Sequence, residues 1–258
     1  MLLDPSIDIN AYVSSLPPEE VEQLLEAMYA LEDAEKYGKF RALFPDEGPR
    51  ARHLYRQHTS FFQHGLTFRE RCFMAANQIG KTTAGAYEAT CHLTGLYPDW
   101  WPGKVFKHPI RAWAAGDYNE TTRDIVQKEL LGDIAWEGNH KAVDGTGMIP
   151  QELIGIGPGL LTWKQGVADL IDTVRIRHVT GGWSLLGLKS YMQGRKSFQG
   201  TKQHLVWFDE EPPEDVYNEA LIRTATTGGI TMLTFTPLSG ISEVVQGFLP
   251  AGMRPGGE

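Results

Sequence analysis

Read as a pattern of apolar and polar positions, the chain alternates short apolar runs with stretches of helical spacing. Val21, Leu24, Leu25, Met28 and Leu31 recur at intervals of three and four, which predicts an amphipathic helix from Glu19 to Tyr37, ending near Gly38. Ser15 is the expected cap, Pro17 and Pro18 suit a first turn, and Glu19 and Glu20 suit the N-terminal dipole. The apolar stripe is read as packing on the main domain rather than as a docking helix for a partner. Residues 1–16 read as loosely ordered, and Pro45 to Arg50 (PDEGPR) as a hinge or linker. Beyond it, Leu54, Tyr55, Phe61 and Phe62 share one side of a short helix.

Apolar runs then mark buried strands: Cys72 to Ala76, Ile110 to Gly116, His204 to Asp209 and Gly228 to Pro237. Thr173 to Val179 and Trp183 to Tyr191 form a predicted pair joined through Gly181-Gly182. Helical stretches follow the first, second and fourth of these runs, and another follows the carboxylate-ended strand at Asp209. Tyr97 to Pro109, aromatic and proline-rich, reads as a loop packed over the domain. Residues 132–173 are rich in glycine and yield no clear element, and PAGMRPGGE reads as a flexible end. The outcome is an α/β fold with a mainly parallel central sheet flanked by helices, plus a small helical N-terminal appendage. Residues 1–49 form that appendage and linker, 50–249 the main domain and 250–258 the tail.

Composition changes this picture little. The 258 residues suffice for one large α/β domain, and no apolar run approaches the ~20 residues of a membrane-spanning helix. Cys72 and Cys91 read as reduced core residues. Of the net charge of −8, residues 1–50 carry −7 and the remainder is near neutral. Charge balance therefore neither supports nor excludes a nucleic-acid partner.

The chemistry lies in two stretches. Cys72 to Thr83, CFMAANQIGKTT, is a strand, a glycine-bearing loop, a Lys-Thr pair and a helix start. That order suits a phosphate-binding loop, with Asn77, Gln78, Ile79, Gly80, Lys81, Thr82 and Thr83 around the phosphates. Backbone N–H groups would face the β-phosphate, Lys81 would reach the β/γ oxygens, and the Thr82 hydroxyl would ligate Mg²⁺. Ala75 stands where the usual spacing has its first glycine. About 130 residues later, HLVWFDEEP ends an apolar strand in Asp209, Glu210 and Glu211. Such a pair suits Mg²⁺ binding by Asp209 and polarisation of an attacking water by Glu210, with Glu211 the competing base. Gln57, just before the first strand, is the candidate reader of an adenine edge.

ANQIGKTT, HLVWFDEEP and TFTP, in this order, resemble the ATPase half of a large terminase subunit, the motor that packages DNA into tailed-bacteriophage heads. The likeness covers roughly residues 50–245. It implies a P-loop ATPase of the additional-strand, catalytic-glutamate class, with ATP and Mg²⁺ as cofactors. It also implies coupling by Thr234, Phe235 and Thr236, and an arginine finger just before the carboxylate strand, which falls on Arg195. Asn77-Gln78 stand where many terminases carry a loop arginine, so that role is not carried over. Implied partners are double-stranded DNA, a portal protein, a small terminase subunit and further copies in a ring, pentameric by family likeness. The implied location is the host cytoplasm, transiently on the procapsid. Family members continue into a metal-dependent nuclease; with only Glu243 and Glu258 as acids downstream of the coupling strand, no DNA cleavage is expected of this chain. The alternatives are a superfamily 2 helicase-like translocase, which needs a second RecA-like domain, and a non-hydrolysing nucleotide-gated scaffold, which has no use for Glu210.

Overall fold

A computed structural model describes residues 16–238, 240–250 and 253. The expected cap Ser15 lies outside them, as do most of the residues read as loose at either end. The apolar runs form a seven-stranded sheet built from β1 (Glu70–Met74), β2 (Arg111–Gly116), β5 (Leu161–Trp163), β6 (Ile171–Arg177), β7 (Trp183–Ser190), β8 (Leu205–Asp209) and β9 (Ile230–Phe235). Its order is β1-β9-β8-β2-β7-β6-β5. The first five strands in that order are parallel, and β6 and β5 are antiparallel additions. Every residue of β8 and β9 is buried, as expected of parallel strands covered on both faces. One strand, β9, separates the strand entering the glycine loop from the strand ending in carboxylates. This is the additional-strand arrangement, and the fold is that of an α/β P-loop NTPase.

One face of the sheet is covered by α4 (Lys81–Thr94), together with a helix that starts as α5 (Asn119–Thr121), passes through a π-helical segment (Thr122–Gln127) and ends as α6 (Lys128–Leu131). The other is covered by α7 (Glu214–Ala225) and α8 (Glu243–Phe248), with Phe198 wedged beside them. Helix α3 (Arg56–His64) leads into β1, and its Phe61 and Phe62 are buried against Phe73, Tyr87 and Trp101. Trp100 and Trp101 of the aromatic loop pack on this cluster, as expected. The poorly legible stretch supplies a small hairpin, β3 (Ile134–Glu137) with β4 (His140–Val143), and then β5.

The N-terminal helix forms as α1 (Pro18–Tyr37), but its stripe does not pack as expected. Leu25, Met28 and Leu31 are 46%, 50% and 67% exposed. The next segment packs on the main domain instead. Phe40, on the short helix α2 (Lys39–Ala42), stacks on Tyr87, and Phe44 meets Tyr55, Phe62 and Tyr87 edge-on. Both rings lie upstream of the expected linker, so the body of the fold takes in the chain from Lys39 onward.

Helix α4 can lie against the sheet only because of Gly85. A Cβ there would come within 2.4 Å of the Trp207 indole, which is fully buried beneath it. Gly85→Ala should therefore lower stability by about 1–3 kcal/mol through overpacking, despite a helix-propensity gain approaching ~1 kcal/mol. Thermal unfolding checks this: a melting temperature at or above that of the unmodified chain would show that helix and strand part without cost.

Candidate active site

The loop between Met74 and Lys81 takes its shape from two left-handed residues, Gln78 (φ 63°) and Gly80 (φ 82°). Ala75 is not among the positive-φ residues and continues the ladder through its N–H to the Phe235 carbonyl. An alanine therefore suffices where the usual spacing has glycine. Lys81 is buried at the start of α4, and its ammonium donates to the Ala76 carbonyl (2.7 Å) and the Thr236 hydroxyl (2.9 Å). Thr236 also faces the Ala75 carbonyl (3.0 Å) and the Asn77 amide oxygen (2.7 Å), either of which can take its single proton.

The two chemical stretches meet at Asp209. Its carboxylate accepts from the Thr82 hydroxyl (3.0 Å) across 127 residues of chain, and from the Thr234 hydroxyl (2.7 Å). Thr234 is itself held by the Trp207 indole N–H (2.7 Å). Burial pushes the Asp209 carboxyl up to about 7, against the two hydroxyls that stabilise its charge. A carboxylate held at that cost favours a compensating cation. Thr82 and Asp209 offer one hydroxyl and one carboxylate, the hard-oxygen pair that suits Mg²⁺ completed by water and phosphate oxygens rather than by a protein cage. No group of three His, Cys, Asp or Glu side chains able to hold a metal occurs among the described residues.

Glu210 and Glu211 separate cleanly. Glu210 has φ 90°, a strained conformation for a residue with a side chain. It is held there by its own N–H to the Thr234 carbonyl (3.1 Å) and by the Tyr191 hydroxyl, which donates to its carbonyl (2.8 Å). Its carboxylate has no hydrogen-bond partner among the described residues; burial raises its pKa and nearby Lys81 lowers it. Glu211 instead accepts from the hydroxyl of Ser242, the residue that caps α8. One carboxylate is without a hydrogen-bond partner among the described residues, and the other is tied to the cap of a helix.

Beside the loop opens a cavity of about 420 Å³, lined among others by Phe44, Tyr55, His58, Gln78, Gly80 and Thr83. Gln57 does not line it and is exposed on the far side of α3. The next residue, His58, is buried against Gly80, with its Nδ1 unpaired and its ring edge-on to Tyr55 and Phe73. Helical spacing could have found it, because position 58 completes the apolar face of Leu54, Tyr55, Phe61 and Phe62. Phe235 is also displaced from its expected role: it is fully buried in the core on the α7 side, while Thr234 and Thr236 on either side of it reach the site. Arg195, half-exposed between Gly194 (φ 67°) and Gly200 (φ 92°), donates through Nε to buried Glu219 on α7 (2.8 Å). Arg223 binds the same carboxylate.

Comparison with known proteins bears on the same residues. The family model described as terminase large subunit, T4likevirus-type, N-terminal, matches residues 72–253, which span the glycine loop, the carboxylate pair and β9. The chain is 37% identical over 262 residues to the terminase large subunit of Salmonella phage P22, covering 94% of this chain and 49% of that protein. It thus spans about half the length of that relative. Weaker structural likenesses are to the large terminase of bacteriophage HK97 (TM-score 0.45, 14% identity, 79% of this chain and 37% of that one) and to the large terminase of a thermophilic bacteriophage, solved with ADP (TM-score 0.41, 13% identity, 78% and 38%). With most of its length under one family model, this chain belongs to the terminase large-subunit family.

Proposed function

We propose that the chain is the ATP-hydrolysing motor part of a phage DNA-packaging terminase, driving double-stranded DNA into a procapsid. The observation that carries this reading is the Thr82–Asp209 contact, with the unpartnered carboxylate of Glu210 beside it. In this reading the purine occupies the cavity beside Tyr55 and His58, and the phosphates lie along the N–H groups of the loop and the start of α4. Thr82 and Asp209 would hold Mg²⁺, whose charge would offset that of the phosphate oxygens. Lys81 exchanges the Ala76 carbonyl and the Thr236 hydroxyl for phosphate oxygens. Glu210 takes a proton from a water as that water's oxygen bonds to the γ-phosphorus; the bond from γ-phosphorus to the bridging oxygen breaks, leaving ADP and phosphate.

The exchange at Lys81 supplies the coupling. When the ammonium turns to phosphate, Thr236 at the end of β9 loses a partner, and Thr234 on the same strand bonds Asp209. The state of the γ-phosphate is thereby felt at two points of one strand. The motor would act as a ring of copies, pentameric by family likeness, on a portal protein, with a small terminase subunit delivering DNA in the host cytoplasm. None of the described helices is long and apolar enough to cross a membrane.

Purified protein should release phosphate from ATP with Mg²⁺, faster with duplex DNA, and Lys81→Ala should lower this at least ~100-fold. Turnover by Lys81→Ala near that of the unmodified chain would remove the phosphate-loop assignment. Glu210→Gln should keep nucleotide affinity and lose about 100-fold or more in rate, the scale of a general-base loss. Glu211→Gln should remain active and lose about 1 kcal/mol of stability with its tie to α8. The reverse pattern in single-turnover assays would exchange their roles.

Arg195 is proposed to complete a neighbouring copy's site with its outer guanidinium nitrogens, while Glu219 holds Nε. Arg195→Ala should bind ATP normally but not turn it over, and mixing with Lys81→Ala should restore hydrolysis. A dead mixture under conditions of demonstrated assembly, or an active Arg195→Ala alone, would reduce Arg195 to a structural partner of Glu219.

A further inference from the structure

The helices on the α7 side of the sheet cover β1, β9, β8 and β2, and then stop. Beyond Phe198 the same face of β7, β6 and β5 is open. The pairing register fixes what it displays. Arg111, Leu185 and Arg175 lie in one row across β2, β7 and β6; Trp183 pairs with Arg177 in a second, and Ala115 with Lys189 in a third. From the Trp183 row to the Lys189 row is about 20 Å, six residues at ~3.3 Å each. The strand positions of this face bear four cations, and the carboxylate beside them, Asp172, interacts with Lys189. Asp172, at the bulge opposite β5, is paired with Lys164 (3.7 Å).

The direct contacts of these cations within the chain are with neutral groups: Arg175 donates through Nε to the Gly159 carbonyl (3.1 Å), and Arg177 lies over the Trp183 ring (5.2 Å). Among the described residues Arg111, Arg175, Arg177 and Lys189 have no carboxylate at ion-pair distance. Lys189 stands instead over the rings of Trp113 (5.1 Å) and Phe198 (5.9 Å), at the floor of a groove of about 200 Å³. The groove wall is the stretch 195–203, which offers Ser197, Gln199 and Thr201 as hydrogen-bonding groups. Lys196 and Lys202, on the same stretch, are exposed. Three exposed arginines and the half-buried Lys189, none of them in a direct ion pair, form a local positive field on a chain of net charge −8, and the complement of that field is a polyanion.

We propose that this open face of β5, β6 and β7, with the groove at Lys189, binds the phosphate backbone of double-stranded DNA. The assignment rests on the reading of the chain as a DNA motor. Cations supply the contacts, and the hydroxyl and amide groups of the wall add hydrogen bonds to phosphate, so binding carries no sequence preference. The face also leads directly to the hydrolytic centre. Lys189 on the groove floor is two residues from Tyr191, whose hydroxyl holds the strained backbone of Glu210. Duplex seated on Lys189 thus bears on the strand end that positions Glu210, the base of the proposed hydrolysis.

The test is binding of a fluorescent, sequence-random duplex as a function of salt, using the chain with Arg111, Arg175, Arg177 and Lys189 all changed to Gln. Affinity should fall about 10-fold or more at ~0.1 M salt, and the slope of log K against log[salt] should shrink by about 0.9 for each phosphate no longer neutralised. ATP turnover without DNA should be unchanged and its stimulation by DNA abolished. A control removing the charges of Lys107 and Lys128 should behave as the unmodified chain. If the fourfold variant does not fold, the exposed pair Arg111→Gln and Arg177→Gln should shrink the slope by about 2. Unchanged affinity and slope overturn the surface while leaving the motor reading intact. Loss of self-association with duplex affinity unchanged also overturns it, making the face a contact between copies. An unmodified chain that hydrolyses ATP but binds no duplex at ~10 mM salt overturns surface and DNA reading together.

Discussion

The site depends first on a buried ion pair. The loop from Ala75 to Gly80 has few internal bonds, so its shape is set by how strand β1 and helix α4 are fixed to each other. Arg71 on β1 and Glu88 on α4 make that connection through two hydrogen bonds (2.6 and 3.1 Å), while Arg71 also donates to the Phe61 carbonyl (2.6 Å). His92 on α4 donates to the same carboxylate, and its other nitrogen meets the Tyr97 hydroxyl, which accepts from the Phe106 N–H. Burial alone would raise the Glu88 pKa, but Arg71 and His92 hold it below the ordinary range. Taking two charges out of water costs several kcal/mol each, so such a pair contributes register more than stability. Register is what a loop of this kind requires: a slip of one residue between strand and helix would misplace Lys81.

The second constraint is the order of the strand ends. Because β9 lies between β1 and β8, its two hydroxyls face opposite ways along the sheet edge, Thr236 toward Lys81 and Thr234 toward Asp209. One strand thereby touches both the buried ammonium beside the glycine loop and the buried carboxylate at the end of β8. The strain at Glu210, of about 1–3 kcal/mol for such a conformation, is held at that same edge by Thr234 on one side and Tyr191 on the other. Tyr191 directly follows β7, whose open face carries Lys189, so the uncovered part of the sheet and its chemical edge share one short stretch of chain.

Much of this was legible in the sequence because it follows from local rules. Buried parallel strands read as unbroken apolar runs, and the Gly181-Gly182 turn marked the antiparallel pair. The Lys-Thr step and the Asp-Glu step stood at strand ends where a buried charge has no other use. The amphipathic period of α1 gave the helix, and the resemblance carried by the glycine loop, the carboxylate strand and TFTP gave the family.

What the tertiary structure alone decided were questions of direction and partnership. Gln57 and His58 are adjacent in sequence, but a turn of about 100° per residue sends one to solvent and the other against Gly80. Glu210 and Glu211 are the same residue type; only Ser242, distant in sequence, occupies one and leaves the other free. Phe235 lies between two threonines that reach the site, yet alternation along a strand turns it into the core on the opposite face. The stripe of α1 could not reveal that Phe40 and Phe44, rather than the stripe itself, pack on the main domain. Local sequence determines which face of an element is apolar, and packing from distant parts of the chain determines what that face meets.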